Sequence, residues 1–275
     1  MIGIKVNVKI VILSILIALI MYPKTIALLI SMGENLNTAR RLSTAAEKEG
    51  KFTAGTNKTR VVFIFDDGWE SVYLKAYGIM NKYDYTASIS VIPLLVGKKE
   101  YMSYEQLSQL QLKGWELLNH SYSHEENKYD NPDRLLADFN KAREWMKNRY
   151  MGRCSNMLII PYGEINPYLI NRLKAAGYDS ARTSDNIIIL NKNEIEYYPV
   201  TTVNLLTNVS ADEVKEILDQ AFSEPKTILF VLHKIGEVDD GSGMTYSEYR
   251  FAEIIKFINE HDDELEIVNY SQLFE

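Results

Sequence analysis

From Arg60 to the C-terminus the chain alternates short β-branched runs with amphipathic segments that carry their own end signals, and few architectures accept that alternation. The spans Arg60–Asp66, Thr86–Ile92, Trp115–His120, Met157–Tyr162, Ser180–Thr183, Tyr197–Thr201, Thr227–His233 and Leu265–Asn269 read as strands. Between them, Ser103 with Gln106 and Ser210 with Glu213 have capping-box spacing, and Asn131–Pro132 and Asn166–Pro167 mark helix starts. Gly114 and Gly177 follow two of these helices as stop signals. The pattern predicts an α/β body with a largely parallel sheet and helical crossovers. Periodicity alone does not choose between a closed barrel and an open sheet.

The first residues do not fit that pattern. After Lys5 and Lys9 an apolar run extends from Ile10 to Tyr22, is broken by Pro23–Lys24, and resumes from Ile26 to Met32. Together the runs approach the ~20 residues that cross a bilayer, although Lys24 at mid-membrane would cost roughly 2.5–3.5 kcal/mol. Residues 1–33 are therefore expected to form an uncleaved signal-anchor helix, with a cleaved signal peptide as the second choice. Residues 34–57 read as a polar tether and 58–275 as the folded body. The expected location is membrane-anchored with the body outside the cytoplasm, or secreted after cleavage. Arg40, Arg41 and Lys48 follow the apolar run as Lys5 and Lys9 precede it, so flanking charge does not orient it. A net charge of -7 excludes a general nucleic-acid binder, and the lone Cys154 excludes an intrachain disulfide.

Residues that carry chemistry fall at strand ends. Asp66 and Asp67 end the first run, His120 the third, Pro161–Tyr162–Gly163 follows the fourth, and His233 ends the strand beginning at Thr227. In a parallel α/β fold these ends open on one face. Adjacent strand residues point to opposite sides, so Asp66 and Asp67 need a turn, which Gly68 permits, to face one site. His120 and His124 have the spacing of one helical turn, close enough for two imidazoles to share an ion. The chain has only four histidines, and the fourth, His261, sits in a charged helix end and reads as solvated. Two imidazoles and one carboxylate leave positions for water and substrate; a second carboxylate can act as base, and His233 is placed to act as acid. Trp69, Tyr122, Tyr129 and Tyr162 lie near these motifs and are candidates to stack on sugar rings, Trp69 first among them.

Phe65-Asp66-Asp67-Gly68, His120-Ser121-Tyr122-Ser123-His124, Pro161-Tyr162-Gly163 and Leu232-His233 resemble, in order and spacing, the motifs of the polysaccharide deacetylases, the NodB-type domains of carbohydrate esterase family four. The resemblance covers roughly residues 58 to 275. It implies a distorted (β/α) barrel of about seven strands. It further implies Asp66 as general base, and Asp67, His120 and His124 as ligands of a divalent metal, usually Zn2+ (Co2+, Ni2+ or Mn2+ as alternatives). The Tyr162 N–H becomes an oxyanion donor, His233 the acid, and Leu232 the lining of an apolar slot for the acetyl methyl. Many members pair the base with an Arg two residues before the motif proline; this chain has Ile159 there, which resembles the Arg-less Pro-Tyr-Gly form of members acting on poly-N-acetylglucosamine, and Arg182 is the candidate replacement. The expected activity is metal-dependent N-deacetylation of N-acetylhexosamine in a surface or extracellular polysaccharide. The alternatives are a deacylase of a lipid-linked sugar, an amidase of a non-sugar substrate, or an idle membrane-tethered carbohydrate-binding domain.

Overall fold

In the computed structural model the described residues are 58–125, 131–184, 187–189, 200–223 and 226–274. The apolar N-terminal segment and the tether through residue 57 lie outside them, as does Tyr129. Among the described residues no helix is long and apolar enough to cross a membrane.

The strands are β1 (Thr59–Phe65), β2 (Ser88–Val91), β3 (Glu116–Asn119), β4 (Cys154–Ile159), β5 (Ser180–Arg182), β6 (Ile187–Ile189), β7 (Val200–Asn204), β8 (Thr227–Leu232), β9 (Lys234–Ile235), β10 (Thr245–Tyr246) and β11 (Leu265–Ile267). Their order in the main sheet is β6-β5-β4-β3-β2-β1-β8-β7. All neighbours on this path are parallel except β6, which runs antiparallel along β5. β1 is shared lengthwise: its first half pairs with β11 and its last residues with β2. The expected barrel is a curled sheet, with no pairing between β6 and β7 among the described residues.

The helices are α1 (Tyr77–Asn81, entered through a π-helical turn at Val72–Ala76), α2 (Tyr104–Leu112), α3 (Pro132–Lys147), α4 (Pro167–Ala175), α5 (Ala211–Gln220) and α6 (Glu248–Glu260). Both capping boxes form, at Ser103 and Ser210, and Asn131 and Asn166 cap α3 and α4 with Pro in the first turn. Ser247 caps α6, its side chain accepting from the Arg250 N–H.

Strand alternation sorts the core into layers. Val61, Phe63 and Phe65 of β1 join Ile228, Phe230 and Leu232 of β8 in the layer under α1, α5 and α6. Val62 and Ile64 join Leu229, Val231, Leu118 and Ile159 inside the curl, closed below by the 3-10 segment Tyr270–Phe274. At that closed end the buried Glu116 carboxylate accepts from the Ser271 N–H (2.9 Å), from the Ser271 hydroxyl and from Ser88 Oγ (3.3 Å). Continued one step upward, the inward series reach the open end. Val62–Ile64 leads to Asp66, Leu118 to His120, Ser180 to Arg182, and Leu229–Val231 to His233.

Candidate active site

Asp66 follows β1 and is hydrogen-bonded to its neighbour strand, its N–H donating to the Leu232 carbonyl at 2.8 Å. Its side chain is 5% exposed. Ser90 Oγ, from β2, donates to Oδ1 at 2.8 Å, and Arg182 Nη2, from β5, donates to Oδ2 at 2.5 Å. Four strand intervals separate β5 from β1 along the sheet, roughly 19 Å if it were flat. The ion pair exists because the sheet curls. Burial pushes the Asp66 carboxyl up, but Arg182, His120 and His233 together outweigh it and hold its pKa below the ordinary value.

Asp67 starts the turn itself. Its φ is 73°, followed by 78° at Gly68, and this left-handed pair swings the second carboxylate to the same side as the first. Asp67 Oδ1 lies 3.4 Å from His120 Nε2 and 3.7 Å from His124 Nε2. One donor atom from each of the three lies within 4.8 Å of the others. Ligands at about 2.0–2.1 Å from a tetrahedral ion are roughly 3.3–3.4 Å apart, so the two Asp67–imidazole separations suit a divalent cation. Burial lowers the His124 imidazole, with help from His120, to about 4, which leaves it neutral and able to ligate at neutral pH. Burial also pulls His120 down, but the Asp67 carboxylate raises it further, a proton that a cation would displace. His120 Nδ1 is 2.8 Å from the Ile159 carbonyl, to which it donates with Nε2 left for the ion. Ile159, at the position where many members of the resembled family carry Arg, therefore serves the site through its backbone.

The histidine spacing is right for a reason other than the one read from sequence. Residues 120–124 form no helical turn; Ser121 and His124 have φ of 62° and 55°. Asn119 Oδ1 accepts from the Ser121 N–H at 3.0 Å, and Ser121 Oγ accepts from the His124 N–H at 3.0 Å. The buried Asp138 of α3 supplies one oxygen, Oδ2, to the Tyr122 N–H (3.0 Å), the Ser123 N–H (2.9 Å) and Ser123 Oγ (3.1 Å). Ser90, Asn119 and Asp138 were missed in the sequence. Their only signal there is polar character inside otherwise apolar strands or on a buried helix face.

Asp66, Asp67, His120, His124, Arg182 and His233 all line one cleft of about 220 Å³. This is the constellation that the motif order implied, and residues 53–181 match the polysaccharide deacetylase family model. Over that stretch the chain resembles the polysaccharide deacetylases. The chain is 26% identical over 145 residues to the poly-beta-1,6-N-acetyl-D-glucosamine N-deacetylase of Staphylococcus aureus, covering 48% of each chain. The chain spans about half the length of the curated relatives it matches. In fold it is similar to the Bc1960 peptidoglycan N-acetylglucosamine deacetylase (TM-score 0.55, 18% identity, 80% of this chain and 89% of that one). A family 4 acetyl xylan esterase from Clostridium thermocellum, solved with a cobalt ion, is also similar (TM-score 0.51, 17% identity, 78% and 90%).

The site departs from the sequence reading at several positions. Leu232 does not reach the cleft; it is fully buried in the outer layer with Phe65, because it is one step out of phase with His233. Val231, two residues before His233 and on its side of the strand, lines the cleft with Ile160 and Met244. Tyr162 lies over the site, its ring centroid 4.8 Å from that of His124 and its backbone at φ 59°. Gly163 next to it is required: at φ +76° an added Cβ would sit 2.6 Å from the Ser184 backbone N. Trp69 is not among the cleft residues, and the Tyr122 ring carries Lys141 Nζ at 3.7 Å from its centroid. His261 is packed rather than merely solvated: its ring lies 4.2 Å from that of Phe257, and its Nδ1 donates to the Phe257 carbonyl at 2.8 Å.

Proposed function

We propose that this chain hydrolyses the N-acetyl amide of N-acetylhexosamine units in a cell-surface or extracellular polysaccharide, with a divalent cation held by Asp67, His120 and His124. The observation that carries this is one cleft holding a carboxylate fixed on both oxygens, a three-donor cation set and a separate imidazole. Two nitrogens and one oxygen suit zinc, with Co2+, Ni2+ and Mn2+ as alternatives. When bound, such an ion supplies Lewis acidity toward the acetamide carbonyl and makes water a stronger acid.

The residues divide the remaining work. Asp66 accepts the proton of the attacking water, and Ser90 and Arg182 keep it ionised and oriented. The Tyr162 N–H is proposed as a donor to the tetrahedral oxyanion. His233 gives a proton to the leaving nitrogen as the C–N bond breaks, so the products are acetate and the free amine. Val231, Ile160 and Met244 offer an apolar surface for the acetyl methyl. The apolar residues 10–32 support a membrane-anchored location outside the cytoplasm, and keep a lipid-linked sugar as an alternative substrate.

Acetate release should be measured on soluble acetylated glycans and on a lipid-linked acetylated sugar, after metal removal and after add-back. Activity should vanish and return with the metal. His120→Ala and His124→Ala should lose metal and activity together. Asp66→Asn should keep the metal and lose about 10²–10⁴ in rate. Binding of a glycan with no acetate released from any substrate at saturating zinc would make the chain a carbohydrate-binding domain instead.

A further inference from the structure

Trp69 hydrogen-bonds the carboxylate that the cation would need. Its indole N–H donates to Asp67 Oδ2 at 3.0 Å, while the other oxygen, Oδ1, is the one facing His120 and His124. The indole is itself fixed. Tyr101 stacks on it with centroids 4.3 Å apart and planes 24° from parallel, and Lys234 Nζ sits 3.9 Å from its ring centroid. Lys234 is held in turn by Asp240. The backbone is tied down on both sides of Trp69, with Glu70 N–H donating to the Glu100 carbonyl at 2.8 Å and Met102 N–H to the Gly68 carbonyl at 2.9 Å.

The position of the ring in the molecule matters as much as its contacts. A second cavity of about 300 Å³ is lined by Trp69, Lys234 and Thr245, whereas Asp67, His233 and Met244 line the metal cleft. Three chain segments thus contribute residues to both cavities, and Trp69 stands in the partition between them. We propose that Trp69 is a positioning residue: it pins one oxygen of Asp67 so that the other alone is presented to the cation. This role replaces sugar stacking, and it rests on Asp67 being a metal ligand.

Trp69→Phe removes the N–H and keeps a ring between Tyr101 and Lys234. Titration of the metal-free variant against a chelator with Zn2+ or Co2+ should show affinity weakened about 10–100-fold, the range for groups that orient a ligand. At saturating metal KM for an acetylated oligosaccharide should stay near wild type. Tyr101→Leu, which keeps the N–H but removes the stack, should weaken metal binding less. Unchanged metal affinity in a folded Trp69→Phe protein overturns the proposal; a raised KM alongside it would restore the sugar-platform role. The titration needs no substrate, so the result stands apart from whether any glycan is hydrolysed. Wild-type metal affinity in His120→Ala would instead remove the ligand assignment on which the inference rests.

Discussion

At the scale of single residues, the Arg182–Asp66 pair determines how the rate should respond to acid. The carboxyl is held below its ordinary pKa against burial, chiefly by that guanidinium. A base with a lowered pKa stays active until the pH falls through that lowered value, so the acidic limb of kcat/KM should lie below the usual carboxylate range. Arg182→Ala leaves burial in place and removes the main opposing charge, so the limb should move to higher pH. The same linkage acts on stability: the wild-type pair contributes above the unfolded-state pKa and is lost as pH falls through the folded one. The variant leaves a buried carboxylate without its cation, at a cost of about 3–5 kcal/mol, so its profile must be taken well below its melting temperature. An unmoved acidic limb in a folded variant would remove Arg182 from the base's environment. Asp66, Asp67, His120, His124 and His233 were legible because carboxylates and imidazoles at strand ends are rare without cause. Ser90 was not, because a serine in a strand looks the same whether or not a carboxylate sits above it.

Among the elements, the loop after β3 shows where local reasoning stops. The strands and the two capping boxes could be read because their signals lie within a few residues of each other. Spacing of four suggested a helical turn for His120 and His124, yet the backbone takes left-handed φ at Ser121 and His124. Each such residue costs about 1–3 kcal/mol unless its surroundings compensate. The compensation comes from α3, where Asp138 accepts three hydrogen bonds on one oxygen. Asp138→Ala should therefore destabilise the protein by about 1–3 kcal/mol and weaken metal binding about 10–100-fold. Asp138→Asn, which can place its carbonyl oxygen where Oδ2 was, should lose much less of both. Chemical denaturation and chelator competition on the two variants test this; equal metal affinity in wild type and Asp138→Ala would mean the loop holds its shape without α3. The antiparallel β6, the π-helical turn before α1 and the small β9–β10 pair likewise depend on tertiary neighbours, and no short-range signal marked them.

For the molecule as a whole, the curl of the sheet was invisible in the sequence, since alternation specifies which face a residue takes but not how far the strands bend round. Curvature is what brings Arg182 of β5 to Asp66 after β1 and lets side chains from β1, β3, β5 and β8 meet over one apolar interior. That interior is built of apolar packing: Val62, Ile64, Leu118 and Leu229 are fully buried in it, and Tyr270 meets Phe274 edge-on at 5.2 Å. Asp67, His120 and His124 lie at the rim, one step above that core. A cation at 1,000 times its Kd should add about 4 kcal/mol to stability, or roughly 8–16 °C in Tm for a domain of this size. Chelation should lower Tm by that amount and abolish hydrolysis while leaving the far-ultraviolet circular dichroism of the sheet and helices unchanged at room temperature. Small zinc domains behave in the opposite way, unfolding when the metal leaves. Loss of the dichroism on chelation would mean that the ion, and not the apolar interior, holds the curled sheet together. A Tm that ignored the metal would mean that the rim donors do not bind it.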